Sequence, residues 1–268
     1  MGVIPLTAVD LGIAAGLVLL LALISLRLRL GLERRLFISA LRTTVQLLLI
    51  GLVLKSLFGY SNFGFIFVIS MVMLTMAGRE VAARQRRRIR GWRGYAIGTG
   101  AMFISSFSVT FLALTVIIGN RPWYAPQYAV PLLGMLLGNT MNGIALAMNR
   151  MIETVRQSKR VIEQRLLLGH TFAEAVGDIR RESMRSGMIP IINAMAAAGI
   201  VSLPGMMTGQ ILGGSPPMEA VKYQILIMFL ICAGTGFGVV AALLLLTGRL
   251  TDHRQRLRLD EVDSGGQG

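Results

Sequence analysis

The strict segregation of charge along this chain constrains its fold more than any motif does. Residues 56–78, 94–120, 122–149, 186–218 and 223–248 carry no Asp, Glu, Lys or Arg. A helix crossing a bilayer needs about 20 predominantly apolar residues, and each of these runs is long enough. Charged residues make up 15% of the 268-residue chain, against about 25% in an ordinary soluble domain. The formal charge of +14 is therefore no sign of nucleic-acid binding. Too little chain lies outside the apolar runs to build a basic face on a soluble fold. The pattern predicts an all-α, polytopic membrane protein.

Seven spans are expected, at about 6–26, 38–58, 62–79, 95–118, 127–148, 187–211 and 221–247. The second holds Arg42 and Lys55, whose long side chains can snorkel to the two interfaces. Arg42 and Gln46, one turn apart on one helix face, could instead line a polar pathway. Of the 27 lysines and arginines, all but Lys55, Arg121 and Lys222 fall in segments on one side of a seven-span topology. The positive-inside rule makes that side cytoplasmic, with the N-terminus outside and the C-terminus inside. The Arg-rich run between Arg84 and Arg93 reads as a topology anchor beside anionic headgroups. No basic residue precedes the first apolar run, so the charged region of a cleavable signal peptide is missing.

Several chemistries find no residues to carry them. None of the three lysines follows glycine, so there is no phosphate-binding P-loop. The single cysteine, Cys232, allows no internal disulfide, and no Cys/His cluster has zinc-ligand spacing. No acid sits in the middle of a span, which argues against a carboxylate proton relay. Catalytic residues and a cofactor held by this chain are not expected, and a metal site cannot be assigned. The methionines, among them Met71, Met73, Met76, Met135, Met141, Met206 and Met207, fit either gap-filling or a soft cation.

The segment 149–186 is the largest between spans. Within it Leu168-Gly169 precedes Thr171-Phe172-Ala173-Glu174-Ala175-Val176, and Arg180 follows. Thr171 and Glu174 have the spacing of a capping box. Phe172, Val176 and Ile179 recur at helical spacing, giving a short helix with a narrow apolar face. That face suits either the membrane surface or a cytoplasmic partner. Gly134 and Gly138 form a G-x-x-x-G that lets helices approach closely. Asn139 and Asn142, one turn further on, and Asn193 suit either interhelical hydrogen bonds or a pathway lining. Pro204, Gly205 and Gly209 mark a break in the sixth span, as a kink or as a gate.

Three stretches resemble the iron-export permease family of ABC transporters (FetB type): Met73–Glu80, Pro131–Asn142, and Val201–Gly214 with Glu219–Gln224. Length and motif order agree along essentially the whole chain. The resemblance implies a homodimeric permease in the bacterial inner (plasma) membrane. A separate cytoplasmic subunit would bind ATP and Mg, and the segment around Leu168–Arg180 would dock on it. Iron export and oxidative-stress resistance are implied for bacterial members. Plant relatives are linked to aluminium tolerance and UDP-glucose transport. On this reading 1–248 is a permease domain containing the coupling segment 149–186, and 249–268 is a tail disordered at its tip. A permease for UDP-glucose or a stand-alone secondary carrier is the alternative.

Overall fold

The structure is a computed structural model that describes residues 5–59, 62–85, 92–252 and 254–259, without the side chains of 55–59 and 93. The tip of the tail, the Lys55 side chain and most of the basic run after Arg84 lie outside the described residues. The regular elements of the described chain are all helices, beside two isolated β-bridges.

The chain divides into two compact units, Met1–Ser61 with Gly209–Ser215 and Asn62–Thr208 with Pro216–Gly268. The first is built on α1 (Ala8–Arg27) and α2 (Glu33–Gly59), which pack against each other. Thr7 and Asp10 form a capping box at the start of α1. At the connection Ser25 Oγ accepts from the Leu32 amide and donates to Glu33, both at 3.2 Å. The leucines of α1 and α2 are exposed almost without exception, as suits side chains surrounded by lipid.

The second unit contains α3 (Phe63–Arg84), a fourth helix running from Trp92 to Ile117, α6 (Pro126–Gln157), α9 (Gly177–Ala197) and α11 (Pro217–Arg249). The fourth helix is α4 (Trp92–Met102) and α5 (Ser108–Leu112) with π-helical turns at Phe103–Phe107 and Ala113–Ile117. Among these elements α6 is packed by α11, α9 and α3, and it forms the centre of the unit.

Glycine sets the closeness of that packing. A Cβ on Gly143 of α6 would lie 2.6 Å from Thr235 Cγ2 and 3.0 Å from the Gly187 carbonyl oxygen. A Cβ on Gly187 of α9 would meet the Gly143 carbonyl at 2.8 Å. On α11, Gly234 faces Leu136, and Gly238 faces Thr140 and Ser105. Lipid tails are as apolar as leucine, so helices in a bilayer associate through close packing rather than water exclusion, and small residues permit it. The expected G-x-x-x-G contributes less: Gly134 has Met73 Cε at 3.2 Å from its Cβ position, and Gly138 has nothing within 4 Å.

The structure departs from the seven expected spans at the sixth. Among the described residues six helices are long and apolar enough to cross a membrane, and 187–211 is not one of them. Instead α9 starts ten residues earlier and spends its first half on a charged stretch, Asp178 to Arg185. It stops at Ala197, where Ala198 and Ser202 pair as a parallel bridge and Gly199 takes φ +83°. The chain resumes as α10 (Gly205–Leu212). Pro204 therefore stands before a helix instead of kinking one. Proline also disfavours helical backbone at the residue before it, here Leu203, which keeps the two helices apart.

Substituting Gly187 by Val should destabilise the protein by about 1–3 kcal/mol, the cost of overpacking a tight contact. Gly138→Ala should leave stability unchanged or raised, since the new methyl meets nothing. Thermal unfolding in detergent, followed by tryptophan fluorescence, distinguishes the two.

Candidate functional site

Beyond the spans, α7 (Lys159–Leu167), α8 (Phe172–Ala175) and the start of α9 fold into a compact knob. The chain reverses at 168–171, where Gly169 takes φ +91°. The Leu168, Gly169 and His170 amides donate back to the last carbonyls of α7. The capping box then starts α8. The Thr171 amide and hydroxyl both donate to Glu174 Oε2 at 2.8 Å, and Thr171 Oγ1 accepts from the Glu174 amide at 3.4 Å.

The apolar face of this short helix is turned inward, which corrects the expectation that it projects towards a partner or the membrane surface. Phe172, Ala175 and Val176 are buried with Met148, Met151, Ile152, Val155, Ile162, Leu246 and Leu250. The ends of α6 and α11 supply most of that cluster, because these helices of 32 and 33 residues outrun the bilayer. At 1.5 Å per residue each is about 48–50 Å long, against a hydrocarbon core of about 30 Å. The knob is thus fixed to the two long helices by a buried cluster continuous with the core between the spans.

The outer surface presents Leu167 and Leu168, which are 87% and 80% exposed. Gly169, His170, Ala173 and Glu174 are exposed beside them, and Arg180 is half-buried. Arg165, His170, Ala173, Glu174, Gly177, Asp178, Arg180 and Arg181 line a polar groove. Arg165 Nη1 donates to the Ala175 carbonyl at 2.9 Å and reaches Asp178 Oδ2 at 3.4 Å, tying α7 to the start of α9. Hydrogen bonding from the Arg181 guanidinium, with its charge, holds the Asp178 carboxyl below its ordinary value. The Thr171 amide and then its hydroxyl do the same for Glu174. Of the expected docking residues, then, Leu168, Gly169, Ala173, Glu174 and Arg180 reach the surface, and Phe172, Ala175 and Val176 form its foundation.

The knob continues into the tail. Residues 250–252 and 254–259 fold back on it, with Thr251 and Leu257 paired in an antiparallel bridge. Leu257 and Leu259 pack on the same core as Phe172. Gln255 Oε1 accepts from the Phe172 amide at 2.7 Å. Sequence reasoning missed Leu167, Arg165 and Gln255. The run Leu166-Leu167-Leu168 ending at a glycine was a usable sign of an apolar tip; nothing local marked Gln255.

The pathway candidates divide between the units. Arg42 and Gln46 lie on α2, exposed. In the second unit Asn139, Asn142 and Asn193 are also on the surface. Asn139 Nδ2 donates to the Met135 carbonyl of its own helix at 2.8 Å. Asn142 Oδ1 accepts from the Arg84 guanidinium, and Asn149 Nδ2 donates to the Arg84 carbonyl at 3.2 Å, so this pair of contacts clamps α3 to α6. Pro204 and Gly205 stand at the start of α10 and Gly209 lies inside it, next to the boundary between the units. Met71, Met73, Met135, Met141 and Met206 pack against the apolar cores. Among the described residues no three His, Cys, Asp or Glu side chains gather as a metal-ligand cluster.

Long apolar helices joined by a compact knob and short loops define a multi-pass α-helical membrane protein. The profile of a family described as "Uncharacterised protein family (UPF0014)" matches residues 8–250, and the chain belongs to that family. A UPF0014 membrane protein of Synechocystis is 38% identical over 221 residues, 81% of this chain and 83% of its own. The probable iron export permease protein FetB of Escherichia coli is 29% identical over 263 residues, covering 96% and 97% of the two chains. Protein ALUMINUM SENSITIVE 3 of Arabidopsis thaliana is 31% identical over 211 residues, 79% and 75% of the two. No solved structure matches the chain. With bacterial relatives of this kind and six apolar helices, the chain is a multi-pass protein of the bacterial plasma membrane.

Phe172→Ala should cost about 3–5 kcal/mol of stability, the loss expected for a fully buried aromatic ring. Leu168→Ser should cost almost none. The capping box is also sensitive to acid. A carboxyl held below its ordinary value stabilises the fold above that value and loses the effect as pH falls through the lower folded one. Protection of the 171–176 amides should therefore be complete above pH 4.5 and decline below it, as read by hydrogen exchange.

Proposed function

We propose that this chain is the membrane-spanning permease subunit of an ABC transporter, whose separate ATP-binding subunit docks on the 158–181 knob. The single observation that carries the reading is the pair Leu167 and Leu168. Two adjacent leucines stand almost fully exposed on an otherwise well-packed knob, whose surface also carries the polar groove of His170, Glu174 and Arg180. A compact apolar patch on a surface with polar groups has the anatomy of a protein interface. The buried core beneath it, shared with α6 and α11, would carry movement of the tip into the spans.

ATP and Mg would be bound by the partner, and this chain would contribute no catalytic residue. The knob and the tail would be cytoplasmic and the N-terminus outside, in line with the distribution of Lys and Arg. Two copies of the permease would pair. The exposed asparagines support this, since polar side chains facing lipid are costly and a second copy or a shared aqueous path would accommodate Asn139 and Asn193. The Arg84–Asn142 contact would lie along that path; Arg42 and Gln46 of α2 are separate pathway candidates, and Pro204, Gly205 and Gly209 are candidates for a gate.

Iron is the leading substrate, moved outward, because the Escherichia coli relative carries that description over nearly its whole length. A nucleotide sugar such as UDP-glucose is the competing substrate. Reconstitution with the ATP-binding subunit in liposomes tests both. Iron-stimulated ATP hydrolysis with movement of iron across the bilayer is the expected result; stimulation by UDP-glucose alone would overturn the substrate, and failure to bind any ATP-binding subunit would overturn the transporter reading. The double substitution Leu167→Ser with Leu168→Ser should reduce ATP-binding-subunit capture at least tenfold without lowering Tm. For orientation, a cysteine placed at His170 should react with an impermeant maleimide only in inside-out vesicles, and one placed at Arg121 only in right-side-out cells.

A further inference from the structure

We infer that Gln255 is a positioning residue. Its side-chain oxygen latches the tip of the knob to the end of α11, so that the two move as one body. The inference rests on the reading of the knob as the docking site, and it adds a residue to that site 83 positions away in sequence.

The observation is a double hold on Phe172. Its ring is 1% exposed, gripped by the core that α6, α7 and α11 build. Its amide is one of the donors that the first turn of a helix leaves without an intrahelical partner. The Thr171–Glu174 box uses the Thr171 and Glu174 amides and leaves this one over. Gln255 Oε1 takes it at 2.7 Å.

The hook that presents Gln255 is built around that one side chain. Gln255 takes φ +58°, left-handed backbone that a residue with a long side chain seldom adopts. Its neighbours hold it there: Asp252 Oδ1 accepts from the Arg254 amide at 2.8 Å and the Arg256 amide at 2.9 Å. The Gln255 amide donates to the Asp252 carbonyl at 3.0 Å. The hook closes through the Arg258 amide, which donates to the Leu250 carbonyl at 2.9 Å. Leu250 follows directly on α11, the helix whose glycines meet α6 at mid-length.

Covalently the tip runs back through α7 into α6 and on through α8 into α9, and the Phe172 ring packs on a core that α6 and α11 share. Gln255 adds a directional hold of the turn's backbone on the hook that follows α11. With that bond in place, the Phe172 amide and the end of α11 keep one register when the tip is displaced. Without it, packing alone couples them and the backbone of the turn can slip against the hook.

Two substitutions separate the side chain from the backbone. Glycine accepts φ +58° without strain, so Gln255→Gly keeps the hook and removes the acceptor. Gln255→Glu keeps an acceptor oxygen at the same reach. In full-length protein in nanodiscs, the Phe172 amide should exchange about tenfold faster in Gln255→Gly and at the wild-type rate in Gln255→Glu. Unchanged exchange in Gln255→Gly would overturn the latch.

The second arm uses the complex with the ATP-binding subunit. A probe cysteine at Ala196 of α9, in a Cys232→Ala background, reports ATP-dependent change in maleimide labelling. Gln255→Gly should bind the ATP-binding subunit with unchanged Kd but lose at least half of the ATP-dependent change, and Gln255→Glu should restore it. A full labelling change in Gln255→Gly would reduce the bond to a structural one and overturn the positioning role. Failure of the wild type to bind the subunit would overturn the transporter reading instead, and the exchange arm alone would then decide the latch.

Discussion

Helix backbone touches helix backbone at Gly143 and Gly187, and the second unit is arranged around that contact. Each glycine presents its carbonyl where a side chain of the other would have stood. α11 reaches the same place, with Thr235 and Val239 beside Gly143, and its Gly234 and Gly238 bring it close against Leu136 and Thr140. In water such helices would be pressed together by the hydrophobic effect. In lipid that pressure is absent, and what remains is the dispersion energy of atoms in contact, which falls off within an ångström. The positions of α3 and of the fourth helix follow from this, because both pack on a surface that α6 and α11 have already formed.

The parts outside the bilayer obey the opposite rule. Around Phe172 and Val176 water is available, and burial of apolar area stabilises the knob in the ordinary way. One chain thus uses two kinds of cohesion, and α6 and α11 belong to both. Their membrane halves meet through glycine, and their outer ends offer Met148, Met151, Ile152, Val155, Leu246 and Leu250 to the knob.

The segregation of charge made the helical membrane fold legible, and six of the seven expected spans correspond to long helices. The exception has a physical cause. The stretch 187–211 is uncharged, but Gly199 and Pro204 interrupt it, and no length of apolar sequence restores a hydrogen-bond ladder across them. The capping box at Thr171 was legible because it is local: two residues, three apart, decide it. The direction of the Phe172 face was not, since a helical apolar stripe looks the same whether it meets a partner or the chain's own core. Likewise the close contact fell at Gly143 rather than at Gly134 and Gly138, because only a neighbouring helix decides which glycine is needed. The hold of Gln255 on Phe172 is a contact between distant residues, and no pattern in either segment encodes it.

The length of α6 has a mechanical consequence. Its buried positions run from Pro126 to Val155, and α3, α9 and α11 all pack on it. A rod clamped over most of its length does not tilt at one end alone. A displacement arriving at the knob end of α6 would have to carry its packed neighbours with it, as a body, or be lost where the knob meets the helix.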